Sequence, residues 1–310
     1  MTSNVQPKVA IITRTKNRPL CLQRCIHTVL NQRFQDFVHV IVNDGGTAKI
    51  VDELVQKNEA LYQNRVKVIH NSSSLGMEAA SNVGIRNSES SYIVILDDDD
   101  TWHPDFLDAC VSHLANKRHP NIAGVVTHSS RVIEKIEQKN GHEVITESDR
   151  EPFNQHLRGI SLGELAGDNL FTVNAFVFER EALTKTGFYR EDLPVLGDWE
   201  FNLRFIFHYD IDVIPSTLSY FHQRVEAPSG DLANSVVAGL NDHHFYRAHI
   251  QNELLRQDIR SNHLGLGTIM SINAGLKNLH LKLLPFLEDR RLFILAVRWL
   301  RRNMFGRKNH

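Results

Sequence analysis

Short apolar runs alternate with helical patterns over the first hundred residues. Leu22, Cys25, Ile26 and Val29 recur at the spacing of an amphipathic helix. Apolar runs rich in β-branched residues predict strands at 8–13, 37–42, 66–69 and 92–96, and the stretches between them predict helices over 22–30, at 52–58 and after the loop that opens the stretch 71–84. This alternation predicts an α/β half-domain with a parallel, doubly wound sheet.

The pattern changes after Pro104. Residues 131–145 predict a hairpin, because Asn140-Gly141 is a strong turn signal. We predict further strands at 123–127, 173–178, 211–214 and 218–221, irregular chain at 147–170, helices at 180–186 and 199–207, and helices again from about residue 240. These features divide the chain into a main domain at 1–239, with halves at about 1–104 and 105–239, and a helical C-terminal extension at 240–310.

Composition narrows the class of protein. The 310 residues are 42% hydrophobic and 23% charged, with a net charge of −1, which indicates a globular protein without the basic surface of a nucleic-acid binder. The three cysteines (Cys21, Cys25 and Cys110) are too few for a disulfide framework, and we expect buried thiols in a reducing compartment. We expect neither a secretory signal nor a transmembrane helix, and therefore a cytoplasmic protein.

The strand at 92–96 ends in four aspartates, Asp97, Asp98, Asp99 and Asp100. Adjacent carboxylates repel one another, so we expect another group to compensate their charge. Ligands collect at the carboxyl ends of parallel strands, and hard oxygen ligands there suit Mg²⁺ or Mn²⁺. A solvated acidic turn is the alternative. Pro104 suits the first turn of the following helix.

Five stretches in this order resemble the family 2 glycosyltransferases of the GT-A fold. They are VAIITRTKNRPLCLQRCIHTVLNQ, VIVNDGG, NSSSLGMEAASNVGI, ILDDDDTWHP and LGDWEFNLRF, and the resemblance covers roughly residues 8–225. It implies a mixed sheet flanked by helices, and transfer of a sugar from a nucleotide-diphosphate donor to an acceptor hydroxyl with inversion at the anomeric carbon.

The resemblance also implies roles for individual residues. Asp44 would contact the nucleobase beside the turn that contains Arg14, Thr15 and Asn17. Asp97 and Asp99 are the two acidic positions of the DxD motif and would bind Mn²⁺ or Mg²⁺. The remaining roles fall on Asp98 (ribose), His222 (metal or diphosphate), Arg224 (phosphate) and Asp198 (general base).

This sequence departs from the family pattern at three positions. Lys16 stands where the family often has an aromatic residue, and it has no ring to stack on the base. Ser81 stands where many members carry Arg. Gly197 replaces the Glu that often precedes the base, which leaves Asp198 alone in that pair.

The predicted chemistry explains why acidic residues would line the site of an anionic donor. A cation held by carboxylates stabilises the departing diphosphate as a Lewis acid, and a single carboxylate can deprotonate the acceptor hydroxyl. Asp198 falls at a predicted helix start, which favours its ionised form, although an ordinary N-cap is the alternative. Glu200 should point to another side of that helix and would at most orient the acceptor.

The sequence leaves the roles of several other residues open between two interpretations. Trp102 and Trp199 flank the acidic positions, where sugar stacking and core packing are both open. Asn71 and Asn82 are expected to fix loops. The tail at 279–310 is basic and amphipathic, which fits contact with an anionic membrane surface, packing on the catalytic domain or dimerisation.

Two other functions fit part of the pattern. Residues 95–101 fit the strand and DxDxT motif of a haloacid-dehalogenase-type phosphatase, but that motif normally opens a chain, and no convincing lysine motif separates the acidic sites. A non-catalytic nucleotide-sugar-binding module is the second alternative. By family analogy alone, polysaccharide or glycoconjugate assembly is the expected setting, with a carbohydrate or lipid-linked acceptor.

Overall fold

A computed structural model describes residues 6–139, 142–224 and 240–288, together with residues 294 and 298. Within this part of the chain the strands are β1 (Val9–Thr15), β2 (Phe37–Asp44), β3 (Val66–Asn71), β4 (Tyr92–Ile95), β5 (Thr101–Trp102), β6 (Ile122–Lys139), β7 (His142–Pro152), β8 (Phe176–Glu179) and β9 (Asp210–Arg224). The α-helices are α1 (Pro19–Leu30), α2 (Ala48–Lys57), α3 (Glu59–Tyr62), α4 (Met77–Arg86), α5 (Phe106–Ala115), α6 (Leu162–Gly167), α7 (Leu183–Thr186), α8 (Gly197–His208), α9 (Leu240–Ser261) and α10 (Leu266–Glu288). Single 3₁₀ turns cover Val173–Ala175 and Arg180–Ala182.

The described strands form one mixed sheet in the order β3-β2-β1-β4-β8-β6-β9-β5, with β7 paired to β6. The strands β3, β2, β1 and β4 are parallel, which confirms the predicted half-domain. β1 to β3 extend two residues beyond their predicted ends, so Arg14 and Asp44 lie within strands. The carboxyl ends of β1, β2 and β4 therefore lie at one edge of the sheet.

The second half contains longer strands than the sequence predicted. The runs at 211–214 and 218–221 are parts of the single strand β9, and the strand at 123–127 continues into the hairpin arm as β6. The prediction of separate strands was wrong because buried polar residues interrupt the apolar pattern. The Ser129 and Ser219 hydroxyls lie 2.7 Å apart across the β6–β9 pair, where the register shifts on either side of His128.

The predicted hairpin is confirmed in the pairing of β6 with β7, which brings Lys139 opposite His142. Its turn, Asn140-Gly141, lies outside the described residues. The prediction of irregular chain at 147–170 was wrong where β7 and α6 occupy it. Pro104 precedes α5 instead of entering its first turn, because a tight turn joins the Phe106 N–H to the His103 carbonyl.

Aromatic packing fixes α8 against the sheet. The rings of Phe201 and Phe205 on α8 lie 5.3 Å and 5.1 Å from those of Phe178 and Phe176 on β8. All four rings are fully buried. Because burying a Phe side chain contributes about 1.5–3 kcal/mol, this contact anchors the start of α8 firmly.

The chain divides into two compact units, Met1–Ile250 and Gln251–His310. The predicted boundary at residue 239 stays a prediction. In the second unit Asp258 accepts hydrogen bonds from the backbone N–H groups of Gly265 and Thr268, which fixes the turn before α10. No helix in the described ranges has both the length and the apolar character needed to cross a bilayer. Most of the basic tail, including Arg290, Arg291, Arg301 and Arg302, lies outside those ranges.

Candidate active site

A cavity of about 510 Å³ lies at the carboxyl ends of β1, β2 and β4. Ligand pockets in proteins commonly have volumes of roughly 300–1,000 Å³, so this one can hold a nucleotide sugar. Seven predicted site residues line it: Arg14, Thr15, Asp44, Asp97, Asp99, Asp198 and His222. Asn17 and Asp98 are not among its lining residues. Asn17 accepts a hydrogen bond from the Thr47 N–H, and Asp98 is fully buried.

Arginines compensate the charge of the acidic run. The Arg14 Nε lies 2.7 Å from Asp97 Oδ1. Arg18 Nη2 lies 2.6 Å from Asp98 Oδ1, and Arg18 Nη1 lies 3.1 Å from Asp99 Oδ2. Arg224 is also bonded to Asp99 and is 1% exposed, so it is not available at the surface for a phosphate. The solvated-turn alternative does not describe this arrangement, because Asp98, Asp99 and Asp100 are all buried.

The arginines and burial act in opposite directions on these carboxyl groups. Burial raises the pKa of Asp98 to about 6, although Arg18 lowers it in part. Burial also opposes ionisation of Asp99, but Arg18 and Arg224 together hold its pKa below the ordinary value. Asp99 is therefore an ionised oxygen donor at neutral pH.

His222 is held between two partners. Its Nδ1 lies 2.7 Å from Glu134 Oε1, and its Nε2 lies 2.8 Å from the Thr101 hydroxyl. Burial lowers the pKa of His222 below its ordinary value, which favours the neutral ring. Burial opposes ionisation of Glu134, but hydrogen bonds from His222 and Arg24 lower its pKa to about 2.

The residues at the cavity fit a hard divalent cation. Asp97 and Asp99 supply carboxylate oxygens, and a histidine that binds metal through Nε2 usually donates Nδ1–H to a carboxylate, as His222 can to Glu134. In the described part of the chain no three acidic, His or Cys side chains form a ready-made metal cage. Mg²⁺ is commonly held by one or two carboxylates plus substrate phosphates, and that donor set is present here.

Asp44 holds the loop that borders the cavity. Its carboxylate accepts hydrogen bonds from the backbone N–H groups of Leu75 and Gly76 and from the side chains of Asn71 and Ser74. Burial raises the pKa of Asp44, but these bonds outweigh it and the net shift is downward. Gly45 has φ 75°, and a Cβ there would meet the Ser74 nitrogen at 2.4 Å, so the loop requires glycine.

Asp198 is the second residue of α8, and its side chain accepts a hydrogen bond from Asn169 Nδ2 at 2.9 Å. The N-cap is Leu196, in the left-handed conformation, so the alternative of an ordinary Asp198 N-cap is wrong. Burial raises the pKa of Asp198 above its ordinary value, although Asn169 and the Trp199 N–H oppose the shift. Asp198 is therefore a stronger base than a solvated aspartate.

The remaining alternatives are resolved by packing. Glu200 is bonded to Arg204 and is not among the residues that line the cavity. The indole N–H groups of Trp102 and Trp199 donate to the carbonyls of Asn174 and Leu165, and both rings are buried in the core. Asn71 and Asn82 fix loops, as expected, and all three cysteines are buried and free.

Sequence reasoning missed several residues of the site. Glu78 and Asn169 line the cavity, as does His243 at the start of α9. Glu134 lies in the middle of β6 and bonds the His222 ring. Polar and apolar residues alternate around it, as they do in an ordinary exposed strand, so the sequence did not single it out. Burial raises the pKa of Glu78 to about 7, although Arg14 opposes this shift. A lone Glu in the first turn of a helix gives no sequence signal for such a position.

The architecture has counterparts among solved structures. S. aureus TarS 1-349 has a TM-score of 0.54 and 17% identity, with 80% of this chain and 65% of that chain covered. The mannosyltransferase PcManGT from Pyrobaculum calidifontis, in complex with GDP-Man and Mn²⁺, has a TM-score of 0.53 and 13% identity, with 98% and 89% covered. These similarities confirm the predicted GT-A fold.

Sequence comparison gives the family. The uncharacterized glycosyltransferase YwdF of Bacillus subtilis (strain 168) is 24% identical over 230 residues, which are 73% of this chain and 78% of YwdF. The putative colanic acid biosynthesis glycosyl transferase WcaA of Escherichia coli (strain K12) is 34% identical over 107 residues, 34% of this chain and 38% of WcaA. A model of glycosyl transferase family 2 matches residues 10–180, more than half of the chain, and the chain therefore belongs to that family.

Proposed function

We propose that this protein transfers a sugar from a nucleotide-diphosphate donor to an acceptor hydroxyl, with a divalent cation and with inversion at the anomeric carbon. The observation that supports this most is that one cavity contains both Asp97 and Asp99 of the DxD motif and Asp198 at the start of α8. The solved structures of TarS with UDP-GlcNAc and of PcManGT with GDP-Man and Mn²⁺ also support a nucleotide-sugar donor and a metal.

Asp97 and Asp99 would hold the cation, and His222 would become a further ligand through Nε2 once the Thr101 hydroxyl no longer bonds that nitrogen. A bound cation would supply Lewis-acid stabilisation of the negative charge on the departing diphosphate. Arg14 and Arg18 keep these carboxylates in place before the donor arrives. Asp44, with the loop at 71–76 that it fixes, forms the part of the cavity where the nucleobase would lie, beside Thr15 and Lys16.

Asp198 would accept the proton of the acceptor hydroxyl at a carboxylate oxygen. Asn169 holds this carboxylate, and burial keeps it basic. A positioned general base typically accelerates a reaction by ~10²–10⁴-fold. Asn169 Oδ1 and His243 Nε2 are buried, and neither has a hydrogen-bond partner among the described residues. Because both residues line the cavity, these two atoms would form hydrogen bonds with hydroxyl groups of the acceptor.

The other two functions are less well supported. Membership of glycosyl transferase family 2 and the GT-A fold do not favour a phosphatase with Asp97 as its nucleophile. A binding module without catalysis would have no use for a half-buried Asp198 with a raised pKa. A role in polysaccharide assembly is supported by the similarity to WcaA, whose name refers to colanic acid biosynthesis.

Asp198→Asn tests the proposal, with Glu200→Gln in the same helical turn but outside the cavity as its control. We would measure nucleoside diphosphate release from UDP, GDP and dTDP sugars with Mn²⁺ and a panel of carbohydrate acceptors, and donor binding by calorimetry. Asp198→Asn should keep donor binding and lose roughly 10²–10⁴-fold in release, while Glu200→Gln releases nucleotide at the normal rate. Donor binding without release by the unmodified protein would support the binding module instead.

A further inference from the structure

Glu78 lies in the cavity near Asp97 of the acidic run and near Asp198 at the start of α8. It is in the first turn of α4 and is only 4% exposed. Its Oε2 is 3.5 Å from Arg14 Nη1, which also donates to the Ser81 hydroxyl at 3.0 Å. The remaining guanidinium nitrogens of Arg14 donate to Asp97. Arg14 is therefore shared between Glu78 on one side and Asp97 on the other.

Gly197 leaves the space that Glu78 occupies. A Cβ built on Gly197 would lie 2.5 Å from the carboxyl carbon and from Oε1 of Glu78, which is closer than real Cβ atoms approach such groups. Gly197 is not among the residues with positive φ, so its backbone does not itself require glycine. A side chain at 197 is excluded for a steric reason, because the Glu78 carboxylate from α4 occupies the space beside the start of α8.

We propose that Glu78 is a positioning residue for the candidate donor site, where it and Asp97 hold Arg14 between them and Gly197 gives the Glu78 carboxylate its room. This inference rests on the proposed function and deepens it. Arg14 donates to two carboxylates, so Asp97 and Glu78 share its positive charge. The Asp97 oxygens consequently stay better able to bind a cation than they would beside an arginine with no second acidic partner.

The packing half of the inference is tested by combining two substitutions. Gly197→Ala is made in the unmodified protein and in Glu78→Ala, and unfolding is followed in urea. Ala suits a helix better than Gly, so the change should be neutral or stabilising once the Glu78 carboxylate is gone. In the unmodified protein we expect it to lower the urea midpoint. An equal effect in both backgrounds would overturn the steric contact.

The functional half is tested above pH 7, where Glu78 is ionised, with Glu78→Gln, which keeps the shape of the side chain and removes its charge. Glu179→Gln is the matched control, because Glu179 is a half-buried partner of Lys117 and does not line the cavity. Calorimetry with UDP, GDP and dTDP, with and without Mn²⁺, gives the affinities. We expect Glu78→Gln to weaken Mn²⁺-dependent nucleotide binding roughly tenfold, the lower end of the loss when a group supporting a metal ligand is removed.

The outcomes separate this inference from the function on which it rests. Weaker Mn²⁺-dependent binding by Glu78→Gln, with binding by Glu179→Gln unchanged, supports a positioning role. Unchanged binding by Glu78→Gln, whatever its stability, would overturn that role and leave the proposed function intact. If the unmodified protein bound none of the three nucleotides with Mn²⁺, the proposed function would fail and this inference would fail with it.

Discussion

Arg14 and Asp97 form a two-point ion pair, in which Nε lies 2.7 Å from Oδ1 and Nη2 lies 3.3 Å from Oδ2. The pair joins the end of β1 to the residue that begins the acidic run after β4. It therefore couples the fold of the parallel half to the geometry of the candidate metal site. Arg14 is 12% exposed and Asp97 is 27% exposed, so water screens this pair only in part.

Arg14→Met should destabilise the protein strongly. The change leaves Asp97 and Glu78 without their shared cation, and breaking a buried pair by removing one partner typically costs about 3–5 kcal/mol. The free energy of unfolding in urea measures this. Arg33→Met is the control, because Arg33 is 71% exposed in its pair with Asp105, and surface pairs contribute only about 0–1 kcal/mol. Equal losses for the two variants would contradict the account.

The pH dependence of turnover should report Asp198. Its pKa is raised by burial, so the base form should be lost as pH falls through a value above the ordinary 3.8 of aspartate. Nucleotide release at saturating donor should therefore decline on the acid side before a solvated aspartate would titrate. The residual release by Asp198→Asn should lack this limb. A wild-type profile that stays flat down to pH 4 would exclude Asp198 as the base.

His39 should make the fold sensitive to acid. It is fully buried on β2, where its ring bonds the Tyr62 hydroxyl and Thr13, and burial lowers its pKa from 6.5 to about 3. Between these two values the unfolded chain binds the proton and the folded protein does not. Stability from this group is therefore present above pH 6.5 and is lost as pH falls toward 3.

His39→Gln removes this contribution. Between pH 7 and pH 4.5 the unmodified protein should lose roughly 2–3 kcal/mol more stability than the variant, at 1.36 kcal/mol for each pH unit below 6.5. Urea unfolding at the two pH values gives the difference. His27→Gln, at an exposed position on α1, should lose as much stability as the unmodified protein. Parallel behaviour of all three proteins would show that His39 is not the sensitive group.

The parallel half of the fold could be predicted because each strand contains a short, mainly apolar run that polar residues follow. The same logic placed Asp44 and Asp97 at one edge of the sheet. The second half could not be predicted in the same way. Pro215 interrupts the apolar pattern of β9, and the run from Thr127 to Ser130 is polar although it is buried. Only long-range pairing supplies the partners that make such strands stable.

The acidic residues of the site could be predicted from the sequence, but the residues that pair with them could not. An aspartate run after a buried strand has a direct chemical meaning, but the arginines that neutralise it come from β1, from the residue before α1 and from β9. Arg224, for example, is more than a hundred residues from Asp99 in the chain. Sequence spacing gives no signal for such contacts. The same holds for Asn169, which comes from a stretch that reads as irregular and yet holds Asp198.

The central claim is that Asp97 and Asp99 bind a divalent cation that a nucleotide-diphosphate donor needs. Calorimetry of the intact protein with UDP, GDP and dTDP sugars, with Mn²⁺ and then after chelation, tests it most directly. We predict that at least one donor binds with Mn²⁺, that chelation abolishes or greatly weakens this binding, and that Asp99→Asn does the same in a folded protein. Equal affinity with and without the metal, or no binding of any donor, would contradict the claim.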